Sequence, residues 1–319
     1  MHYFKTPVRL AALALLALSA LAGAARGEEL RVVATTPELA WFAEELGGDH
    51  VAVESLTRGK ENMHAFGVKP HTIVSIAKAD LLLENGLSLE AVWLPDLLLA
   101  SRNADLVYES GGRVNCSEGV EPLNVPTVLS RKDGDVHPMG NPHMAMSPLA
   151  GPVIAGNVHA ALVRLDPEHK ADYDKAHQAL VKRLGEAEKR WQKYVPLFEG
   201  LDVVVYHQEF DYLVNYLGMQ QPIAIEPKPG IPPTPSHLAK VIKVMREGEV
   251  SVILVAPWAN NRQAKSVAQK TDAKLLELPA MVGGADYATG YIAWIDGALE
   301  AMRIAYGLPE PDFDEEEQG

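Results

Sequence analysis

One pattern constrains the fold of this chain more than any other: short apolar runs alternate with amphipathic stretches, once in each half of the sequence. Leu30 to Ala34, Val51 to Leu56 and Leu81 to Leu83 form the first set of runs, and Leu201 to Tyr206, Ile223 to Ile225, Val250 to Val255 and Lys274 to Leu278 the second. Their length and their β-branched or leucine content read as buried strands. Candidate helices lie at about Pro37 to Leu46, Thr72 to Ala79, Leu213 to Leu217, Pro235 to Arg246, Asn260 to Lys270 and Tyr287 to Tyr306. Strand and helix in turn predict an α/β fold in two lobes, each a parallel sheet with flanking helices.

Between the halves the texture changes. From Pro167 to about Lys193, the residues Tyr173, Ala176, Leu180, Leu184, Ala187, Trp191 and Tyr194 recur by threes and fours, the spacing of one long amphipathic helix. Pro167 suits its first turn and Pro196 its end. Two readings fit this helix, a strut joining two lobes or a surface helix of the second lobe. The strut divides the chain into a metal-binding N-terminal lobe at 28–166, a connecting helix at 167–195 and a C-terminal lobe at 196–308. The acidic segment 309–319, with Phe313 its only large apolar side chain, has the composition of a disordered tail.

The first 24 residues read as a secretory signal. Lys5 and Arg9 precede the apolar stretch Leu10 to Leu21, and Ala22, Gly23 and Ala24 supply a small-residue cleavage site. A dozen apolar residues fall short of the roughly 20 that a spanning helix needs. Ala24 stands where a lipoprotein would carry its cysteine, so the expectation is an exported protein with no lipid anchor. Cleavage takes two positive charges from a formal net charge of −13, leaving about −15, which argues against a nucleic-acid partner. With Cys116 as the single cysteine, neither a disulfide framework nor a multi-cysteine zinc site is possible. A bound metal would need histidine and carboxylate ligands.

Most of the eleven histidines sit where a solvated or packed ring is the ordinary outcome. Three share a different context. His207 directly follows the run Leu201 to Tyr206, at the carboxyl end of a strand, where open α/β sheets build ligand sites. His64 lies in the loop after Val51 to Leu56, and His143 in the proline-flanked turn Asn141-Pro142-His143-Met144. Two histidines from the first lobe and one from the second would converge at the cleft, and three imidazoles plus one further donor complete a four-coordinate shell. His137, six residues before His143 on a Gly- and Pro-containing loop, is a candidate fourth ligand or a partner of one. Met63, Met139, Met144 and Met146 flank these positions; thioether sulfur would favour Cu(I), whereas loop packing is their ordinary use.

On these residues the chain resembles the periplasmic zinc and manganese solute-binding proteins of bacterial ABC-type metal uptake transporters, of the zinc-uptake type. NMHAF at 62–66 resembles the first metal motif of that family, ADLLLENGLSL at 79–89 a following pattern, HPMGNPHMAMSP at 137–148 the second metal motif and YHQEF at 206–210 the third. EPKPGIPPTPSHL from Glu226 is similar to the segment before a second-lobe helix. The resemblance implies His64, His143 and His207 as metal ligands. The family often adds an acid near the last strand. Leu278 to Met281 offers none, with Glu277 and Asp286 the nearest.

The function this implies is capture of a divalent transition metal ion, zinc before manganese or copper, by a monomeric periplasmic protein that catalyses nothing and delivers the ion to an inner-membrane ABC permease. The rival of another class is a periplasmic zinc-dependent hydrolase, for which Glu209, two residues after His207, is the best candidate base.

Overall fold

The computed structural model describes residues 29–313 apart from 108–109, 128–136, 229 and 260. The expected signal segment lies outside the described residues.

The first sheet is built from β1 (Leu30–Ala34), β2 (Val51–Ser55), β3 (Leu81–Glu84) and β4 (Arg113–Asn115), in the order β2-β1-β3-β4 and parallel throughout. Helix α1 (Pro37–Gly47) connects β1 to β2, α2 (Pro70–Lys78) leads to β3, and α3 (Leu94–Ser101) leads toward β4. All four residues of β3, Leu-Leu-Leu-Glu, are buried, the signature of a strand covered on both faces. Because the chain steps from β1 to β2 on one side and then to β3 on the other, the connections diverge above the carboxyl ends of β1 and β3. A crevice opens at such a point.

Helix α4 (Ala150–Leu165) then packs along α5 (Lys170–Gln192), with a 3-10 turn at Pro167–His169 between them. At 23 residues α5 is about 34 Å long. Its buried face is Tyr173, Leu180, Leu184, Ala187 and Trp191, the stripe that the spacing predicts. The helix touches α1 and α4 of the first half and α10 (Tyr291–Tyr306) of the second. Trp191 donates its indole N–H to Asp296 on α10 at 2.6 Å, so α5 is tied to the second half as well as packed on α1 and α4 of the first. Pro196 does not end α5, which stops at Gln192; it sits in the first turn of a short helix α6 (Val195–Phe198), where its missing N–H costs nothing.

The second sheet holds β5 (Val204–Val205), β6 (Val252–Val255) and β7 (Lys274–Glu277), parallel and in that order. Helices α7 (Asp211–Tyr216), α8 (Pro235–Glu247) and α9 (Asn261–Thr271) complete it, with α8 and α9 packed together over β6. The run Ile223 to Ile225 is not a strand. It meets β5 through one bridge, Val205 to Ala224, because Pro222 lacks the N–H that a continued ladder would use. Helix α10 begins at Tyr291 rather than Tyr287, after an extended Gly290 lying against the Trp41 ring. Part of the segment expected to be a disordered tail is described. Residues 309–313 are placed, Pro311 is buried, and Phe313 meets Tyr194 edge-on and Lys193 over its face; the rest lies outside the described residues.

Candidate metal centre

Each of the three histidines is held by a separate backbone device. Asn62 caps the 3-10 turn Met63–Ala65 by accepting from the His64 N–H at 2.9 Å, while Met63 anchors the turn in a small apolar cluster with Leu89 and Met281. Asn141 does the same for His143, accepting its N–H at 2.9 Å. Asn141 is itself clamped: its amide donates to the Gln208 carbonyl at 2.7 Å and its carbonyl accepts from the Tyr212 hydroxyl at 2.8 Å. His207 leaves the end of β5, and its Nδ1 lies 2.6 Å from a Glu226 carboxylate oxygen. A carboxylate can only accept here, so Nδ1 carries the proton and Nε2 faces the cleft.

The three rings meet. His64 Nε2 is 3.0 Å from His143 Nε2, which is 3.3 Å from His207 Nε2, and one nitrogen from each ring lies within 4.8 Å of the others. Two nitrogens bound to one tetrahedral zinc at about 2.0–2.1 Å would stand about 3.3 Å apart, so the spacing fits such an ion. Among the described residues this is the only group of three or more such ligand side chains within that reach. His143 and His207 are each 5% exposed. A cavity of about 180 Å³ bordered by Asn124, Pro126, His137 and Gln208 opens onto them.

His137 stands beside this trio. Its ring centre is 5.1 Å from that of His64, and its Nδ1 lies 3.2 Å from the Ser88 carbonyl, which can only accept. The Ser88 carbonyl is aimed by an unusual segment: Gly86, Leu87 and Ser88 all have positive φ, at 86°, 50° and 67°. For the two non-glycine residues this conformation is unfavourable. The buried Glu90 carboxylate stabilises it by accepting from the Asn85 N–H at 2.6 Å, the Gly86 N–H at 3.2 Å and the Thr35 hydroxyl at 2.6 Å. A larger cavity, about 460 Å³, borders this segment with Glu84 and Arg113 in its wall, but the two pair at 2.7 Å and no histidine lines it.

The electrostatics divide the rings into two kinds. Burial holds His64 and His143 well below the ordinary imidazole range, and the neighbouring histidines add to the effect, so both are neutral donors. Burial also opposes charge on His207, but the Glu226 hydrogen bond and the Glu209, Glu226 and Asp211 carboxylates outweigh it and raise the pKa. Asp211 is pushed up to about 6 by burial, despite hydrogen bonds from Gln221, Asn124 and Asn141.

Other sequence candidates fall away from the centre. Glu277 and Asp286 are exposed and outside the ligand group. Glu209 is fully buried, with both carboxylate oxygens unpartnered, and burial pushes it up to about 7. It too lies outside the ligand group, and a side chain without solvent access is badly placed to activate water. The methionines pack: Met144 and Met146 are 0% and 1% exposed in the main core, Met63 is in its own cluster, and Met139 is exposed. Sequence reasoning missed Glu226 as a partner of His207. The signal was present in EPKPG, a lone acid ahead of two prolines, but only the backbone hydrogen bonds of residues 225–226 to Val205 and Tyr206 bring it to the ring.

Two parallel sheets bridged by one long helix, with imidazoles from separate loops meeting where the two halves face each other, define the class of two-lobed metal solute-binding proteins. The chain belongs to the family described as zinc-uptake complex component A, periplasmic (ZnuA), whose match covers residues 32–305. It is 26% identical over 295 residues to the iron-binding protein YfeA of Yersinia pestis, covering 88% of this chain and 87% of that one. It is 25% identical over 283 residues to the high-affinity zinc uptake system protein ZnuA of Bacillus subtilis (strain 168), covering 87% and 88%. A crystal structure of ZnuA superposes with a TM-score of 0.74 at 19% identity, over 87% of this chain and 99% of that one. The family is one of periplasmic solute-binding components of metal transporters, and nothing in these likenesses supports the hydrolase reading.

Proposed function

We propose that this protein captures zinc in the periplasm on His64, His143 and His207, with His137 supplying the fourth donor, and delivers it to an inner-membrane ABC permease without catalysing a reaction. The single observation that carries this reading is the approach of three imidazole nitrogens, 79 and 64 residues apart in sequence, to 3.0 and 3.3 Å. Neutral nitrogens in that number suit zinc better than manganese, which prefers oxygen donors, and with Met63, Met144 and Met146 packed in apolar clusters and Met139 exposed, the four do not gather as a thioether set for Cu(I). His137 enters through proximity: its ring centre is 5.1 Å from that of His64, and although it stands outside the three-histidine group a turn of its ring would bring it to the ion.

In this reading residues 28–166 and 196–308 act as the two lobes and 167–195 as their connector, in a monomer freed from its signal near Ala24 and carrying no lipid anchor. Capture replaces water on the ion with imidazoles already held by Asn62, Asn141 and Glu226. Metal analysis of the purified protein, with competition titrations against zinc, manganese and copper, tests the proposal. Zinc should be retained at one ion per chain and bind most tightly. A variant with alanine at 64, 143 and 207 that holds zinc as tightly as the parent would overturn it, and a preference for manganese would overturn the choice of metal.

A further inference from the structure

The acid Glu226 belongs to a segment that, by sequence, only precedes a helix, yet the fold carries it to the metal centre. The Ile225 N–H donates to the Val205 carbonyl at 2.9 Å and the Glu226 N–H to the Tyr206 carbonyl at 2.8 Å, so the segment runs alongside the end of β5. His237 on α8 ties it from behind, its Nε2 3.0 Å from the Ala224 carbonyl. Glu226 is therefore set by its backbone. Its carboxylate oxygen meets His207 Nδ1 at 2.6 Å, with the two side chains only 12% and 6% exposed, and Trp258 stands edge-on to the ring at a centroid distance of 5.7 Å.

We infer that Glu226 is the positioning residue of the centre: it fixes His207 as the Nδ1–H tautomer and sets the ring plane, so that Nε2 points at the ion. The inference rests on the reading of His207 as a ligand. An imidazole without an acceptor at Nδ1 can place its proton on either nitrogen and swing about two bonds, and both freedoms must be lost when an ion binds. An outer partner that removes them beforehand strengthens binding about 10–100-fold. What matters in this argument is the acceptor at that point in space, and a glutamine oxygen can supply one.

The test compares Glu226→Leu, Glu226→Gln and His207→Ala in the full mature chain, with zinc affinity read by chelator competition and the coordination geometry by the visible spectrum of the Co(II)-loaded protein. Glu226→Leu should weaken zinc binding about 10–100-fold and alter the Co(II) bands. Glu226→Gln should stay within about threefold of the parent, with parental bands. Parental affinity and spectrum in Glu226→Leu would overturn the inference, as would a glutamine variant as weak as the leucine one. His207→Ala separates the two readings: if it binds zinc like the parent, His207 is not a ligand. If it loses binding while Glu226→Leu does not, the ligand stands and the positioning role fails.

Discussion

His143 is the middle nitrogen of the trio, within 3.3 Å of both others, so replacing it removes the donor on which the arrangement is centred. A four-ligand zinc site is worth about 10–16 kcal/mol, or about 3 kcal/mol per ligand, and a loss of that size lowers affinity roughly 150-fold. The magnitude becomes a thermal-shift experiment through mass action. At zinc a thousandfold above the parent Kd, binding stabilises the native chain by about 4 kcal/mol; in His143→Ala the same zinc concentration leaves about 1 kcal/mol. At about 2 °C per kcal/mol for a chain of this size, the zinc-dependent rise in Tm should shrink from about 8 °C to about 2 °C. Without zinc the variant should melt below the parent, because the deletion empties a buried site and removes the Nε2 contacts with His64 and His207, so the comparison is of the zinc-dependent rise alone. A His143→Ala protein with the full zinc-dependent rise would refute the assignment of the trio as the metal site.

Three further outcomes follow from the structure. Zinc affinity should fall on acidification with a slope closer to one proton than to three between pH 7.5 and 5.5, because only His207 has a raised pKa while His64 and His143 lie well below theirs; competition titrations that give a slope of three would refute this division. Burial pushes Glu38 from 4.5 to about 7, so the folded chain keeps a proton that the unfolded chain releases, and the stability this group contributes below pH 4.5 is lost as pH rises through 7. Glu38→Gln should therefore exceed the parent by on the order of 2–3 kcal/mol in urea unfolding at pH 8 and match it near pH 5, and equal gains at both pH values would contradict the burial argument. A methyl group at Gly59 would sit 2.2 Å from the Gly283 carbonyl carbon and the Gly284 nitrogen, so Gly59→Ala should destabilise the chain by about 1–3 kcal/mol and weaken zinc binding by displacing the loop that carries His64. Parental Tm and affinity would show that the two loops do not constrain each other.

How far the sequence exposes this arrangement depends on where each determinant resides. The stretch Leu30 to Ala34 reads as a strand from local sequence, since its apolar run and the Thr-Thr-Pro that follows point to one answer, and β1 has those bounds. His207 was legible for the same reason, a ring placed directly after a buried run. Strand β4 was not: Arg113-Val114-Asn115 has no apolar pattern, and its extended form comes from pairing with Leu82 to Glu84. The same holds for Glu226, whose place arises from two backbone hydrogen bonds, to Val205 and Tyr206, that no local spacing encodes. Phe313 shows the converse: its acidic surroundings read as disorder, yet its ring meets Tyr194 edge-on and Lys193 over its face.

The distribution of anchors also indicates which part of the centre moves most cheaply. Separating the two sheets about α5 would break the Trp191–Asp296 bond at 2.6 Å, the Tyr291 hydroxyl's bond to the Ser147 carbonyl at 2.6 Å, and Asn141's tie to Gln208. It would also open the close glycine contact between Gly59 and Gly283–Gly284. Displacing the His64 turn alone keeps its internal Asn62 hydrogen bond and disturbs part of the Met63, Leu89 and Met281 cluster and the contact of Phe66 with Trp93. Each buried hydrogen bond contributes about 0.5–1.5 kcal/mol net, so the turn is the element of lower local stability. If the trio holds the ion as proposed, the loop at residues 62–66 is the part expected to move on entry and release, against His143 and His207. Hydrogen exchange would locate the difference: faster exchange of the His64 amide than of His143, narrowing when zinc is added, is the expected result, and equal protection of the two amides would contradict it.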